Sequence, residues 1–331
     1  MSAGGPVSTG GPVSEGAPVS AGSPAVVAID VGGTSIKAAL VDESGAVLQR
    51  AHLPTPVTEG PAAVVAAVRS AAGKLAHADV VALGIVVPGS VDVATGTARY
   101  SANIGWRDVP LRELLAGDLG LPVVLEHDVR AAGLAERTLG RASGLADCLL
   151  VVVGTGIAAV IVSGGTSPRG ASELAGEIGH IPVYPDGETC ACGQRGCLET
   201  YASAAAIARR YSALGGSQGW PVSAADVAAV RRSDPLAARV WQEATDALAI
   251  ALASYTMLLD PALIVLGGGL AEAGEALLEP VRAELAARLT WRPAPGLTLS
   301  PLGTQAGLLG AALLAWQAVG RADFSAWPQG R

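Results

Sequence analysis

Charged side chains are scarce in this 331-residue chain, where Asp, Glu, Lys and Arg together make up 15% of the residues. The formal net charge is −7, and no segment gathers the clustered Lys and Arg of a nucleic-acid-binding surface. No apolar run approaches the roughly 20 residues that a membrane-spanning helix needs. The N terminus lacks the basic stretch and apolar core of a signal peptide. These absences predict a cytoplasmic protein with neither a nucleic-acid nor a membrane partner.

The first 24 residues repeat Gly-Pro-Val-Ser and Ala-Pro-Val-Ser units. A segment so rich in Gly, Pro and Ser is typical of flexible linkers and tails. We therefore expect a disordered tail over residues 1–24. The remaining chain is long enough for two domains, and its 50% hydrophobic content is typical of a compact α/β protein.

Hydrophobic periodicity predicts alternating strands and helices after the tail. The predicted strands are 25–30, 38–41, 46–50, 80–87, 123–126, 148–153, 157–163 and 263–266. The predicted helices are 61–75, 111–119, 129–139, 202–214, 224–231 and 235–259. A strand–strand–strand–helix–strand order near Val26 is expected again near Leu149. This pattern predicts two related α/β halves with a cleft between them. The first half is residues 25–130, completed by a C-terminal helix at about 308–331, and the second half is residues 131–307.

Cysteine is rare, and three of the four cysteines fall within residues 180–197. With one histidine they can close a tetrahedral Cys₃His site, which structural zinc favours. The candidate ligands are His180, Cys190, Cys192 and Cys197. Chance clustering, or a disulfide that would leave an odd thiol, is the alternative. Glu177 and Glu199 bracket the loop, which suggests that the metal shapes a site as well as a fold, whereas Cys148 should not be a ligand.

Three glycine-rich turns follow apolar strands. Glycine lets backbone amides approach an anion, and in the first turn Thr34 and Lys37 add a hydroxyl and a positive charge. A single such turn can equally be an ordinary hairpin. Together the three predict a nucleotide cradle with two phosphate clamps and a surface for adenosine. The candidate residues are Asp30, Gly32, Gly33, Thr34, Lys37, Gly154, Thr155, Gly156, Gly268 and Gly269.

These motifs resemble the signatures of the ROK family of sugar kinases and repressors. The matching segments are Asp30–Lys37, Gly154–Gly156, Gly176–His180 and Cys190–Glu199. The resemblance extends from about Ala25 to a C-terminal helix around Gly303–Val319. It implies an actin-like ATPase fold, with two ribonuclease-H-like domains, an interdomain cleft and a zinc-binding loop.

The resemblance also assigns roles to residues. Asp128 corresponds to the general base that accepts the proton of the sugar hydroxyl, although its position alone would equally suit a helix N-cap. Asn103, Glu177, His180 and Glu199 correspond to the sugar contacts. His180 would bind zinc through one nitrogen and offer the other to a hydroxyl. Otherwise Asn103 is a turn residue and the two glutamates are surface charges.

Two segments depart from the family pattern. Family kinases commonly carry Asn-Asp-Ala-Asn around the base, whereas this chain reads His127-Asp128-Val129-Arg130. The base is retained, but both neighbouring amides are absent. Arg130 brings a positive charge that could lower the pKa of the base or contact a phosphate. His127 is either a second hydrogen-bond partner or an ordinary packed or surface histidine. In the second phosphate turn, Ala158 and Ala159 follow where further glycine is usual.

The resulting expectation is an ATP-dependent kinase for the 6-hydroxyl of an aldohexose, most simply glucose. It would use one structural Zn²⁺ per chain and Mg²⁺ with ATP, with Asp30 in the second shell of Mg²⁺, and form a homodimer or homotetramer. N-acetylglucosamine and N-acetylmannosamine remain alternative substrates, and no added basic channel indicates polyphosphate as donor. A sugar-sensing regulator is the alternative from another class, but the segment before Ala25 is too short and too poor in helix formers for a helix-turn-helix domain.

Overall fold

The computed structural model describes residues 14–15, 22–216 and 219–330. They fall into two compact units, Met1–Ala132 with Gly307–Pro328 and Gly133–Ala306 with Gln329–Arg331. Within the described ranges no helix is long and apolar enough to cross a membrane. The disordered tail predicted for residues 1–24 lies mostly outside the described residues, but Ser14–Glu15 form a short strand.

The elements are numbered along the chain. The strands are β1 (Ser14–Glu15), β2 (Ala25–Val31), β3 (Ser35–Asp42), β4 (Val47–Pro54), β5 (Val80–Val87), β6 (Ser90–Asp92), β7 (Thr97–Ser101), β8 (Trp106–Val109), β9 (Val123–His127), β10 (Cys148–Val153), β11 (Ile157–Val162), β12 (Leu263–Gly267) and β13 (Gly296–Leu299). The helices are α1 (Pro61–Leu75), α2 (Leu111–Leu119), α3 (Asp128–Leu139), α4 (Glu199–Ala202), α5 (Ala204–Ala213), α6 (Ala224–Val230), α7 (Pro235–Leu259), α8 (Glu275–Arg288) and α9 (Ala306–Ala318).

The main sheet of the first unit has the order β1-β4-β3-β2-β5-β9 over the described residues. β2 runs antiparallel to β3 and parallel to β5, and β5 runs parallel to β9. All of β2 is buried except Asp30, which is half-buried near its carboxyl end, as expected of a central strand covered on both faces. β6, β7 and β8 form a separate small sheet. The carboxyl end of β2 and the loop between β7 and β8 carry predicted site residues.

The sheet of the second unit has the order β11-β10-β12-β13. β12 is parallel to both β10 and β13, and β11 is antiparallel to β10. Apolar residues of α5, α6, α7 and α8 pack with the strands in one hydrophobic core. The long helix α7 begins at Pro235 with the Asp234 side chain accepting the Leu236 N–H, and it ends before Asp260 in the left-handed conformation.

Several sequence predictions fail in instructive ways. The helix predicted for 202–214 is α5, which begins two residues later at Ala204, because Ser203 adopts an extended conformation and caps α5 through the Ala206 N–H. Ala202 belongs to the preceding short helix α4. Among the described residues no third strand lies between β11 and the next α-helix, α4, so the predicted repeat of the strand–strand–strand–helix–strand order near Leu149 is wrong. Helix α9 ends at Ala318, short of the predicted 308–331. Strands β6–β8 and β13 and the bounds of α8 were not predicted.

The chain therefore has a mixed α/β fold. Three expectations from the sequence stay predictions: the ribonuclease-H-like fold of each domain, the cleft between the domains, and the division of the chain into residues 25–130 and 131–307.

Candidate active site

The first glycine turn, between β2 and β3, is held by hydrogen bonds from within and from the end of β4. The Gly32 N–H donates to the Ser35 carbonyl at 2.9 Å. The Thr55 hydroxyl donates to the Gly32 carbonyl at 2.7 Å, and the Thr55 N–H donates to the Thr34 carbonyl at 3.0 Å. Thr34 itself is exposed. Hydrogen bonds within the turn and from Thr55 therefore fix its backbone, while Thr34 is left facing solvent.

Three charged groups lie close together beside this turn. Asp30 and Lys37 are direct cross-strand partners in β2 and β3. Burial, and then the nearby charge of Asp128, raise the pKa of Asp30 to about 7 against the opposing effect of Lys37. A Cβ at Gly307 would stand 3.0 Å from Asp30 Oδ2, so glycine lets the start of α9 approach this carboxyl closely. Two acids therefore share a site beside one lysine, an arrangement suited to a cation.

The raised pKa of Asp30 predicts a pH-dependent stability effect. With an unfolded-state pKa near 3.8 and a folded-state pKa near 7, the folded protein binds more protons in between, so stability falls as pH rises from about 4 to about 7. Asp30→Asn removes the ionisation and should raise the Tm of the ligand-free protein at pH 8 but change it little near pH 4.5. Thermal unfolding at both pH values without nucleotide or Mg²⁺ tests this. An equal Tm difference at the two pH values would contradict the assignment.

The structure brings Asn103 and Asp128 to the same part of the first unit. Asn103 is exposed in the loop between β7 and β8, and a Cβ on Gly33 would lie 3.6 Å from the Asn103 Cβ. Asp128 is the first residue of α3, and its Oδ1 accepts the Val129 N–H at 2.7 Å. The carboxylate thus contacts the first turn of its helix and also influences Asp30. This unit therefore contains the first glycine turn, two acids, a lysine and an exposed amide.

The second glycine turn, between β10 and β11, is bound to a predicted sugar contact. Glu199 Oε2 accepts the Ile157 N–H at 2.8 Å. A Cβ on Gly156 would stand 2.7 Å from that oxygen, closer than real Cβ atoms approach, whereas a Cβ on Gly154 would meet nothing within 4 Å. Gly156 is therefore needed for the position of Glu199. The second turn and the acidic residue after the metal loop form one structure.

The third glycine turn lies beside the second. Gly268 has φ of 83°, and a Cβ there would stand 2.5 Å from the Val153 carbonyl at the end of β10. Only glycine fits this position. Gly269 is exposed and begins a short 3₁₀ helix. The two turns of the second unit thus adjoin at the ends of neighbouring strands, as the cradle hypothesis requires.

The predicted metal ligands converge in the second unit. Among the described residues, the ligand atoms of His180, Cys190, Cys192 and Cys197 lie within 4.8 Å of one another. Zinc–sulfur bonds of about 2.3 Å place tetrahedral thiolates about 3.8 Å apart. The Sγ atoms of Cys192 and Cys197 are 3.7 Å apart, and Cys190 Sγ is 3.7 Å from His180 Nδ1. The set fits a zinc ion, and Nδ1 is the histidine nitrogen that faces it.

The thiols differ in their protonation chemistry. Burial raises the pKa of Cys197 to about 12 and also raises the pKa of Cys190. A hydrogen bond from the Gln194 backbone N–H lowers the pKa of exposed Cys192. Because zinc binds thiolates, metal binding here would release protons and weaken as the pH falls. The fourth cysteine, Cys148, is buried in β10 outside this cluster.

Glu177 and Glu199 occupy different environments on either side of the metal loop. Glu177 is exposed. The pKa of Tyr255 on α7 is raised mainly by the burial of that tyrosine and, to a lesser extent, by the negative charge of Glu177. Glu199 begins α4 and is half-buried. The alternative reading as a solvated surface charge therefore suits Glu177 better than Glu199.

Sequence reasoning missed the residues that anchor the metal loop. Arg210 Nε lies 2.7 Å from Glu188 Oε1, and Arg210 Nη2 lies 2.6 Å from Glu243 Oε2. The guanidinium also lies 4.7 Å from the ring centroid of Tyr201, whose hydroxyl accepts the Glu188 N–H at 2.8 Å. These contacts tie the loop to α4, α5 and α7. Nothing in the spacing of these residues indicates the network, because its members are far apart in sequence.

Comparison with known proteins places these features in context. The sequence profile of the ROK family matches residues 26–318. A glucokinase from Streptomyces coelicolor is 36% identical over 313 residues, which cover 87% of this chain and 96% of that protein. The solved ROK family glucokinase of Streptomyces griseus, in complex with glucose and AMPPNP, has a TM-score of 0.78 and 35% identity, covering 88% of this chain and 99% of its own. An N-acetylmannosamine kinase from Escherichia fergusonii is 34% identical, covering 87% and 97%.

Proposed function

Because the chain belongs to the ROK family, we propose that it is an ATP-dependent kinase that phosphorylates the 6-hydroxyl of glucose. The similarity to glucokinases over most of both chains supports the activity and the sugar. The observation that carries the proposal is the arrangement of the first unit, where the charge of Asp128 acts on Asp30 beside the first glycine turn. A carboxylate in that setting can serve a hydroxyl that attacks a phosphoryl group.

Asp128 acts as the general base. A sugar hydroxyl is a weak nucleophile, and the carboxylate orients it and accepts its proton as the γ-phosphate is transferred in line. The sugar contacts in this proposal are Asn103 in the first unit and Glu177, His180 and Glu199 in the second. These groups supply the amide, carboxylate and imidazole hydrogen bonds that a hexose needs. The N-acetylmannosamine kinase relative makes N-acetylhexosamines the second candidate substrates.

The glycine turns bind the nucleotide. Its phosphates lie near Gly33, Thr34 and Gly156, while Gly268 and Gly269 lie against its adenosine. The N–H groups of Gly32 and Gly154 shape the two turns, because they donate to the Ser35 and Gly156 carbonyls. Mg²⁺ would be held mainly by phosphates and water, because it dehydrates reluctantly. Lys37 would offer its positive charge to the phosphates, and Asp30, its cross-strand partner, would lie in the second shell of Mg²⁺. Mg²⁺ supplies charge neutralisation on the phosphates.

The four clustered ligands hold one structural zinc ion. The distances among their ligand atoms suit tetrahedral coordination. Zinc at Nδ1 of His180 would fix the ring and direct Nε2 towards a sugar hydroxyl. The metal then stabilises the loop that carries one sugar contact and precedes another, Glu199.

A sugar-sensing regulator is the alternative function. A purified protein that binds glucose but releases no ADP from ATP in its presence would favour it. Retention of Asp128 together with both phosphate turns favours the kinase. The proposal includes a homodimer or homotetramer, which light scattering on the full chain would test.

A matched pair of glycine variants tests the role of Glu199. Gly156→Ala displaces the flexible end of Glu199 without forcing a left-handed backbone, so we expect a folded protein whose sugar affinity, without nucleotide, falls about tenfold or more. Gly154→Ala adds a methyl group to open space in the same turn and should keep wild-type sugar affinity. Calorimetric glucose titration measures both. Equal affinities in the two variants would remove Glu199 from the sugar contacts.

A further inference from the structure

The residue before the proposed base is tied into the same junction of strand and helix. His127 is the last residue of β9, and Asp128 is the first of α3. The buried side chain of Glu126 accepts the His127 N–H through Oε1 at 2.8 Å. This bond fixes the backbone where the strand turns into the helix. The orientation of the His127 ring is therefore set on a constrained main chain.

The His127 ring reaches one particular oxygen of the base. Its Nδ1 lies 3.4 Å from Asp128 Oδ1, the same oxygen that accepts the Val129 N–H at 2.7 Å. With its proton on Nδ1, His127 joins the Val129 N–H as a second donor to this oxygen, and the two together restrict rotation of the carboxylate about its bond to Cβ. The direction of the other oxygen is then fixed as well. Both side chains are largely shielded from solvent, with exposures of 17% and 32%, so water competes less for this contact.

We propose that His127 is a positioning residue that holds the carboxylate of Asp128 in the orientation needed to receive the sugar proton. The inference rests on the proposed function of Asp128 as the base. The contact needs an N–H donor at the position of Nδ1. Asparagine can supply it, because its side-chain N–H₂ stands at nearly the same distance from the backbone as Nδ1. Leucine has similar bulk but no donor. The two replacements therefore separate the hydrogen-bond donor from the volume of the side chain.

The kinetic test compares His127→Leu with His127→Asn. His127→Leu should lower kcat roughly 10- to 100-fold, since small misplacements of a reacting group cost this much. The glucose dissociation constant should stay near wild type, and His127→Asn should restore most of the rate. His77→Leu is the control for the loss of a histidine elsewhere in the unit, because His77 Nδ1 accepts the Asp79 N–H at 3.3 Å and lies before β5, away from Asp128. In an Asp128→Asn background, His127→Leu should cause little further loss.

Three results would overturn the inference: unchanged kcat in His127→Leu, no rescue by asparagine, or a loss carried by sugar affinity instead of kcat. A thermal-unfolding cycle with His127→Leu, Asp128→Asn and the double variant tests the contact without using activity. Non-additive Tm shifts support the contact, and additive shifts defeat it. A wild-type enzyme that phosphorylates no hexose would defeat the proposed function, while the cycle would still decide whether His127 holds Asp128.

Discussion

Replacing Asp128 with asparagine is expected to lower kcat by roughly 10²–10⁴-fold, while the glucose dissociation constant stays within a few-fold of wild type. Asparagine keeps the shape of the side chain and can still contact the sugar hydroxyl, but it cannot accept its proton. The variant also removes the negative charge beside Asp30 that helps to raise the pKa of that group. Steady-state kinetics measures the loss of kcat, and calorimetric titration of glucose measures whether sugar binding is retained.

A matched carboxylate in the same unit provides the control. Asp118 at the end of α2 pairs with Arg69 at 2.6 Å, away from the glycine turn. Asp118→Asn should turn over at the wild-type rate, because exposed ion pairs contribute little. Near-normal turnover of the Asp128 variant would remove this residue from the mechanism and require another base.

Removing one metal-binding thiol should have the largest effect on the second unit. Cys190→Ala is expected to lower the zinc content from one ion per chain to near zero, to lower the Tm, and to weaken glucose binding. The physical reason is that metal binding and local folding are coupled, and His180 depends on the metal for its orientation. Elemental analysis, thermal unfolding and glucose titration on protein purified without chelators measure the three effects.

Cys148→Ala is the control for this experiment. Cys148 and Cys190 are similarly buried, at 3% and 4% exposed, but only Cys190 lies in the ligand cluster. The Cys148 variant should keep its zinc and its sugar affinity and lose only the stability associated with a small cavity. Absence of zinc from the native protein, or full zinc in the Cys190 variant, would contradict the proposal.

Local signals were sufficient to predict the elements that have clear ends. Helix α7 is bounded by Asp234-Pro235 and by Asp260, and its predicted span, 235–259, is confirmed. Strand β10 is a continuous apolar run that ends at a glycine turn, and its predicted bounds are also confirmed. In these cases capping, proline placement and burial all act within a few residues.

Elements stabilised by distant contacts could not be predicted in this way. Strands β6, β7 and β8 are three to five residues long and owe their structure to pairing with one another. β7 and β8 also carry exposed polar side chains. Ser203 falls inside the predicted helix 202–214, yet its side chain accepts the Ala206 N–H as an N-cap, so α5 begins at Ala204. Hydrophobic periodicity does not show where a serine side chain takes over a backbone N–H and sets the start of a helix.

The candidate site shows the same division. The thiol and imidazole spacing predicted a cluster that the structure brings together, because its members lie within one short segment. Glu199 accepts the N–H of Ile157, which lies 42 positions earlier in the chain. The charge of Asp128 raises the pKa of Asp30, which lies 98 positions earlier. Such contacts depend on the register of strands and helices, which sequence patterns leave open.

Product formation by the purified protein tests the proposed hexokinase activity. Zinc-loaded protein is incubated with Mg²⁺-ATP and, separately, glucose, N-acetylglucosamine and N-acetylmannosamine, and both ADP and the sugar phosphate are quantified. The account predicts rapid formation of glucose 6-phosphate, one ADP for each sugar phosphate, slower reaction of the N-acetylhexosamines, and loss of the reaction in Asp128→Asn. Glucose binding without ADP release, or a rate that Asp128→Asn leaves unchanged, would contradict it.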